Sequence, residues 1–202
     1  MSFTRKDLLS ALITGLTTGV IAWRVFAFLG RPDLMGISLA WLIIVVPLFW
    51  IAGVNLGYFL GRFFPFFNQF GKYAAIGFTN AAVDFGVLNF LIAWSGVAFG
   101  LTYTLFKTVS FIVAVTHSYL WNRRWAFEAH SDSGGREFVK FMVVNIVAAV
   151  INVGVASLVV NGVDPMFSLD QNSWANIGAV AGSAVALIFN FVGFKLVVFK
   201  KS

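Results

Sequence analysis

Cysteine is absent from the 202 residues. That excludes a disulfide framework and any thiolate metal site. Charge is scarce as well: charged residues make up 11% of the chain, against about a quarter of a typical soluble domain. A surface so poor in charge cannot be coated for water, although it can be coated for lipid. Acidic residues number 8 and basic ones 14, a net charge of +6. In an apolar chain that excess reads as membrane topology and attraction to anionic lipid, not as a nucleic-acid surface. A P-loop, a nucleophile elbow, a metal-ligand cluster and an acid pair suited to glycosyl chemistry are all lacking. The one sizeable hydrophilic connection, Arg123 to Glu137, is too short to be a catalytic domain. No cofactor, no metal and no enzymatic activity are therefore expected.

Apolar sequence fills the space that charge leaves. Hydrophobic residues make up 59% of the chain, and its 24 phenylalanines suit a surface facing acyl chains. Crossing a hydrocarbon core of about 30 Å takes roughly 20 mostly apolar residues. Six segments qualify: Leu8–Leu29, Ile37–Leu60, Tyr73–Trp94, Tyr103–Trp121, Phe138–Val160 and Trp174–Phe194. All are expected to be helices, because backbone polar groups in lipid must be satisfied within the segment. The first follows Arg5 and Lys6 as a signal peptide would. It is too long for such a segment, holds Arg24, and ends in no small-residue cleavage site, so it reads as a span.

The bases alternate from one connection to the next. Arg5 and Lys6, then Arg62 and Lys72, then Arg123, Arg124, Arg136 and Lys140, then Lys195, Lys200 and Lys201 all fall on one side. The other connections hold Arg31 as their only base, beside Asp33, Asp164 and Asp170. The positive-inside rule then predicts a multi-pass protein of the cytoplasmic membrane with both termini in the cytoplasm.

A duplication is visible in the later part of the chain. Phe70–Val87 superposes on Phe138–Val155, with Lys72 on Lys140 and Gly86 on Gly154. In the following spans, Ser118 falls on Asn190, Arg123 on Lys195 and Phe127 on Phe199. The expected fold is an all-α integral membrane protein of six transmembrane helices. A duplicated two-helix hairpin would form residues 70–202, and an extra transmembrane hairpin with an interfacial linker would form residues 1–69. Gly15-x-x-x-Gly19, Gly53-x-x-x-Gly57-x-x-x-Gly61 and Gly178-x-x-x-Gly182 mark faces where helices can approach closely. Such faces speak for packing, leave a homo-oligomer open, and say nothing about substrate.

Polar residues inside apolar helices are the candidates for chemistry. Asp84 lies about 18 Å above Lys72 along its helix. An ionised carboxylate there costs about 2.5–3.5 kcal/mol on the insertion scale. It is either a functional group or a protonated, hydrogen-bonded staple between helices. Lys107 lies about 24 Å above Arg123 and either pairs with Asp84 or snorkels to the outer headgroups. Asn80 sits one turn from Asp84 on the same face. Asn152 aligns with Asp84, and Asn190 with Ser118, so the second copy keeps polarity and loses the acid. His117 can relay protons, contact a sugar, or simply bond a neighbouring helix. Arg123 and Arg124, flanked by Trp121 and Trp125, can hold a phosphate bidentately or act as a topology anchor.

The stretch "FGKYAAIGFTNAAVDFGVLNFLI", followed by "KTVSFIVAVTHSYLWNRRWAF", resembles the GtrA-like membrane protein family. The shared pattern is Phe70, Gly77, Asn80 and Asp84 on one span, then Asn122, Arg123, Trp125 and Phe127 closing the next. The resemblance runs from Phe70 to Phe199 and does not reach the first 69 residues. It implies translocation of a polyprenyl-phosphate-linked sugar for cell-surface polysaccharide synthesis, beside a glycosyltransferase partner. Arg123, Arg124 and Lys195, with Asn122 and Trp125, would meet the phosphate head. Asp84, Asn80, Lys107, His117, Asn152 and Asn190 would line a polar path for the sugar. Two other readings stand beside it: a scaffold that docks a glycosyltransferase without transporting, and a small proton-coupled exporter.

Overall fold

The computed structural model describes the backbone of residues 3–65, 67–126 and 135–193; within the last stretch it describes the side chains of 143, 146–186 and 189. Helices α1 (Arg5–Phe28), α2 (Leu42–Leu60), α3 (Phe67–Ser95), α4 (Gly100–Trp121), α5 (Gly135–Gly162) and α6 (Gln171–Gly193) follow one another along the chain. Each covers one of the six apolar segments, shifted or extended by a few residues at its ends. Three stretches are long and apolar enough to cross a membrane among the described residues: Arg5–Phe28, Leu39–Leu60 and Phe67–Ser95.

The expectation of an all-α chain needs one correction. Between α1 and α2 the chain makes a small antiparallel hairpin, β1 (Asp33–Leu34) on β2 (Ile37–Ser38), with Asp33 opposite Ser38 and Leu34 opposite Ile37. Met35 and Gly36 at its tip both have positive φ, 53° and 78°. Two central residues in that region form the turn whose twist matches paired strands. A 3₁₀ turn, Leu39–Trp41, then leads into α2.

The chain forms two compact units, Met1–Phe90 with Ile112–Ala129, and Leu91–Phe111 with His130–Ser202. In the first unit α1 and α2 approach at backbone distance. A Cβ placed on Gly15 would lie 2.5 Å from the Pro47 Cα, and one on Gly19 would collide with the Leu42 carbonyl. Further along α2, a Cβ on Gly57 would come within 2.8 Å of the Phe67 carbonyl oxygen at the start of α3. Hydroxyls tie the same helices together at mid-length. Thr79 Oγ1 accepts from Thr18 Oγ1 at 3.0 Å and from the Trp50 indole N–H at 3.3 Å, and donates to the Ala75 carbonyl. In lipid, close packing and interhelical hydrogen bonds replace the hydrophobic effect as the cause of helix association.

The second unit uses the same device on α5 and α6. A Cβ on Gly182 would strike the Asn152 carbonyl, and one on Gly178 would lie 3.0 Å from the Ala156 carbonyl. Tyr103 Oη donates to the Ala175 carbonyl at 2.9 Å. Asp170 caps α6, accepting from the Ser173 backbone N–H at 2.8 Å and from its hydroxyl at 3.0 Å.

Candidate functional site

The region of interest begins where α4 ends. After Trp121 the winding loosens into a π-helical turn, Asn122–Ala126. Its wider register turns Arg123 and Arg124 outward, both exposed, and Trp125 and Ala126 inward, both buried. A π turn is rare and is frequently found at functional positions. Three aromatic rings line the approach to it. Trp125 meets Trp121 edge-on with centroids 6.0 Å apart, and Trp121 lies 6.2 Å from His117.

Trp125 is held by a residue from the start of the chain. Its indole N–H donates to Asp7 Oδ1 at 2.9 Å. The same oxygen pairs with Lys72 Nζ at 2.9 Å. Asp7 Oδ2 accepts from Tyr58 Oη at 3.0 Å, from the Thr4 backbone N–H at 3.0 Å and from Thr4 Oγ1 at 2.8 Å. Thr4 and Asp7 together form the capping box of α1. Lys72 Nζ also lies 5.4 Å from the centre of the Tyr58 ring, within cation–π range. Asp7 is 1% exposed and Lys72 6%. A carboxylate so deeply buried is tolerable because its acceptor positions are filled, one of them by a cation. The first turn of α1, the second turn of α3, the last turn of α2 and the turn closing α4 thus meet at one carboxyl group.

Shared contact with Asp7 also sets the level of α3 against α4 in this unit. Eight residues from Lys72, about 12 Å along α3, is Asn80, and eight residues back from Trp125, on α4, is His117. Both carry an unmet polar atom: Asn80 Oδ1 and His117 Nδ1 are buried with no hydrogen-bond partner among the described residues. Nearer the arginines, Asn122 donates its Nδ2 to Ser118 at 2.9 and 3.1 Å, while its Oδ1 is likewise unpartnered. Asp84, one further turn along α3, is buried at 5% exposure.

Lys107, in the second unit, is wholly buried. That burial rules out the snorkelling reading. Asn152, in the same unit, donates Nδ2 to Ser183 Oγ at 3.2 Å and leaves Oδ1 unpartnered. The side chain of Asn190, together with Phe127 and Lys195, lies outside the described residues. Two cavities among the described residues lie elsewhere. One of about 320 Å³ lies along α2 and α3 among Phe49, Gly53, Phe67 and Phe78 and is almost wholly apolar; the other, of about 410 Å³, lies beside Asn161, Asp164 and Gln171. Neither is lined by Arg123, Asn80 or Asp84.

Sequence reasoning did not single out Asp7, Tyr58 or Thr79, and it took Lys72 for a topology charge. Only Asp7 offered a signal: an acid three residues after a threonine, just ahead of an apolar run, is a helix-start pattern. Its partners are distant in sequence.

A membrane protein with polar groups sealed among its helices and a basic end is the class that this geometry defines. Residues 72–199 match the family described as GtrA/DPMS, transmembrane domain, and the chain belongs to it. This family comprises membrane proteins that serve glycosyl-lipid processes and associate with lipid-linked sugars. A similar protein is the one described as "Uncharacterized membrane protein YngA" from Bacillus subtilis (strain 168), 28% identical over 134 residues, which are 65% of this chain and 80% of that protein. No solved structure matches the chain. Lys72 and Trp125 lie inside the family segment, whereas Asp7 and Tyr58 lie before it.

Proposed function

We propose that the protein carries a polyprenyl-phosphate-linked sugar across the cytoplasmic membrane for cell-surface polysaccharide synthesis, as a transporter and not as an enzyme. In this reading all six helices span the bilayer, both termini are cytoplasmic, and the helix ends gathered at Asp7 lie at the cytoplasmic face. A glycosyltransferase beside it supplies the loaded lipid.

One observation carries the reading. Three buried polar atoms with unmet hydrogen bonds, on Asn122, His117 and Asn80, share the first unit with an exposed pair of arginines. Leaving such an atom unpaired costs about 1–3 kcal/mol, so three in one unit favour an occupant. A sugar is rich in hydroxyls that both donate and accept. It can donate to Asn122 Oδ1 and Asn80 Oδ1, and it can meet His117 Nδ1 in whichever tautomer that ring adopts. Arg123 and Arg124 offer forked donors to the phosphate at the entry. Asp84 extends the polar path along α3, while Lys107, Asn152, Asn190 and, for the phosphate, Lys195 are assigned to the same task on sequence grounds alone. The prenyl chain stays in lipid throughout, so no closed pore is needed.

Transport in sealed vesicles tests this. The full chain is reconstituted with labelled short-chain polyprenyl-phosphate sugars of several headgroups, and the fraction reaching the opposite leaflet is followed. Faster movement than in protein-free vesicles is expected for at least one headgroup; equal rates across the panel refute the proposal.

A further inference from the structure

We infer that Asp7, which precedes the family segment, is a positioning residue for the headgroup arginines: through Trp125 it fixes the π-helical turn that carries Arg123 and Arg124. The inference rests on the proposed function for its meaning, since it takes those arginines to be the phosphate site.

A π turn is a rare, usually single-turn departure from α-helical winding, so a contact that fixes one in place has consequences for the side chains it carries. Here the holding contact is specific. Trp125 is 1% exposed, and its one polar atom finds its acceptor in Asp7 Oδ1 at 2.9 Å. Tightening the turn to ordinary α-helical winding would rotate Trp125 away from that acceptor. The same rotation would re-aim both guanidinium groups. Asp7 can act as a fixed point because it is itself over-determined. Thr4 locks it from its own helix, Tyr58 from α2 and Lys72 from α3. Forked donors recognise phosphate only when their planes are aimed. Small errors of orientation at a binding constellation are costly, which is why supporting hydrogen bonds matter.

The residue's place in the chain gives the inference its consequence. The first helix pair would not be an accessory to the family domain. It would contribute the group that aims that domain's basic end.

The absence of cysteine makes the test clean, because introduced thiols are the sole labelling sites. Nitroxides are placed on Leu16→Cys and Arg124→Cys in the full chain in nanodiscs, both native side chains being exposed. Their distance distribution is compared with and without Trp125→Phe or Asp7→Asn. Trp125→Phe removes the N–H together with the five-membered ring that bears it and leaves the Asp7–Lys72 pair in place, so it keeps the question open if Asp7→Asn does not fold. The distribution is expected to be narrow in the parent and broad in Trp125→Phe. In the unlabelled chain, Trp125→Phe is expected to weaken binding of farnesyl phosphate about fivefold, roughly the value of one hydrogen bond. In an Arg123→Gln/Arg124→Gln background it should add nothing, the signature of an effect passed through the arginines. A narrow distribution in both variants overturns the inference, and so does an equal loss of binding with the arginines already gone. Binding that is unchanged by Arg123→Gln/Arg124→Gln refutes the phosphate site of the proposed function instead, and the distance measurement then decides alone whether Asp7 fixes the turn.

Discussion

One carboxylate holds four helix ends in the first unit, whereas two glycines hold the α5–α6 pair of the second. The first contact is built from charge: Asp7 meets Lys72, Trp125, Tyr58 and Thr4. The second is built mainly from shape: Gly178 and Gly182 let backbone meet backbone, with the uncharged Asn152–Ser183 hydrogen bond beside them. The two fail differently. A charged cluster suffers most when one member is removed and its partner is stranded. A shape contact suffers when anything is added.

The largest effect expected from that contrast is Lys72→Met, which leaves Asp7 buried without its cation and should cost about 3–5 kcal/mol. Chemical unfolding in mixed micelles measures it. Asp7→Asn/Lys72→Met should recover much of the loss, and a double variant no better than the single one would show that charge is not what holds the cluster. Next comes Gly182→Leu, expected to cost about 1–3 kcal/mol by overpacking. Gly154→Ala is its control: nothing lies within 4 Å of an added Cβ there, so the same assay should register little change. Equal costs at the two positions would sink the shape reading.

A third variant turns from stability to transport. Asp84→Asn should slow sugar–lipid movement about tenfold, a barrier change of roughly 1.4 kcal/mol, with the unfolding midpoint unchanged. If transport persists at the native rate, Asp84 is a helix staple and not part of the sugar path. The smallest effect is at the cap of α6, where Asp170→Ala should cost about 1 kcal/mol. The Ser173 backbone N–H bonded to Asp170 holds this carboxyl below the usual carboxylate range. A depressed carboxyl contributes stability above its unfolded pKa and loses that contribution as the pH falls through its folded value. The cap should therefore persist in mild acid and be lost in stronger acid, and the Asp170→Ala chain should lack that step in its acid titration.

The sequence and the structure agree best where apolar length decides the outcome. The segments read as spans are helices because a long hydrophobic run bounded by charge has few other stable forms. The β-hairpin at 33–38 escaped notice because two-residue strands carry no periodicity to read. Asp84 and Lys107 stood out as charges inside apolar runs. Asp7 did not, since an acid beside Arg5 and Lys6 looks like an ordinary solvated flank. Nothing near it in sequence signals that Trp125 is its partner, for that contact joins residues 118 positions apart. The small-residue faces were legible, while their partners, Pro47 and Leu42 for the first pair, were not.

The Met35–Gly36 tip offers a handle on orientation. Met35 is 95% exposed, and loop tips of this kind accept insertions that helices refuse. A short epitope spliced between those two residues should leave α1 and α2 undisturbed. Antibody access to it, in intact cells against permeabilised ones, would then report which compartment that tip faces.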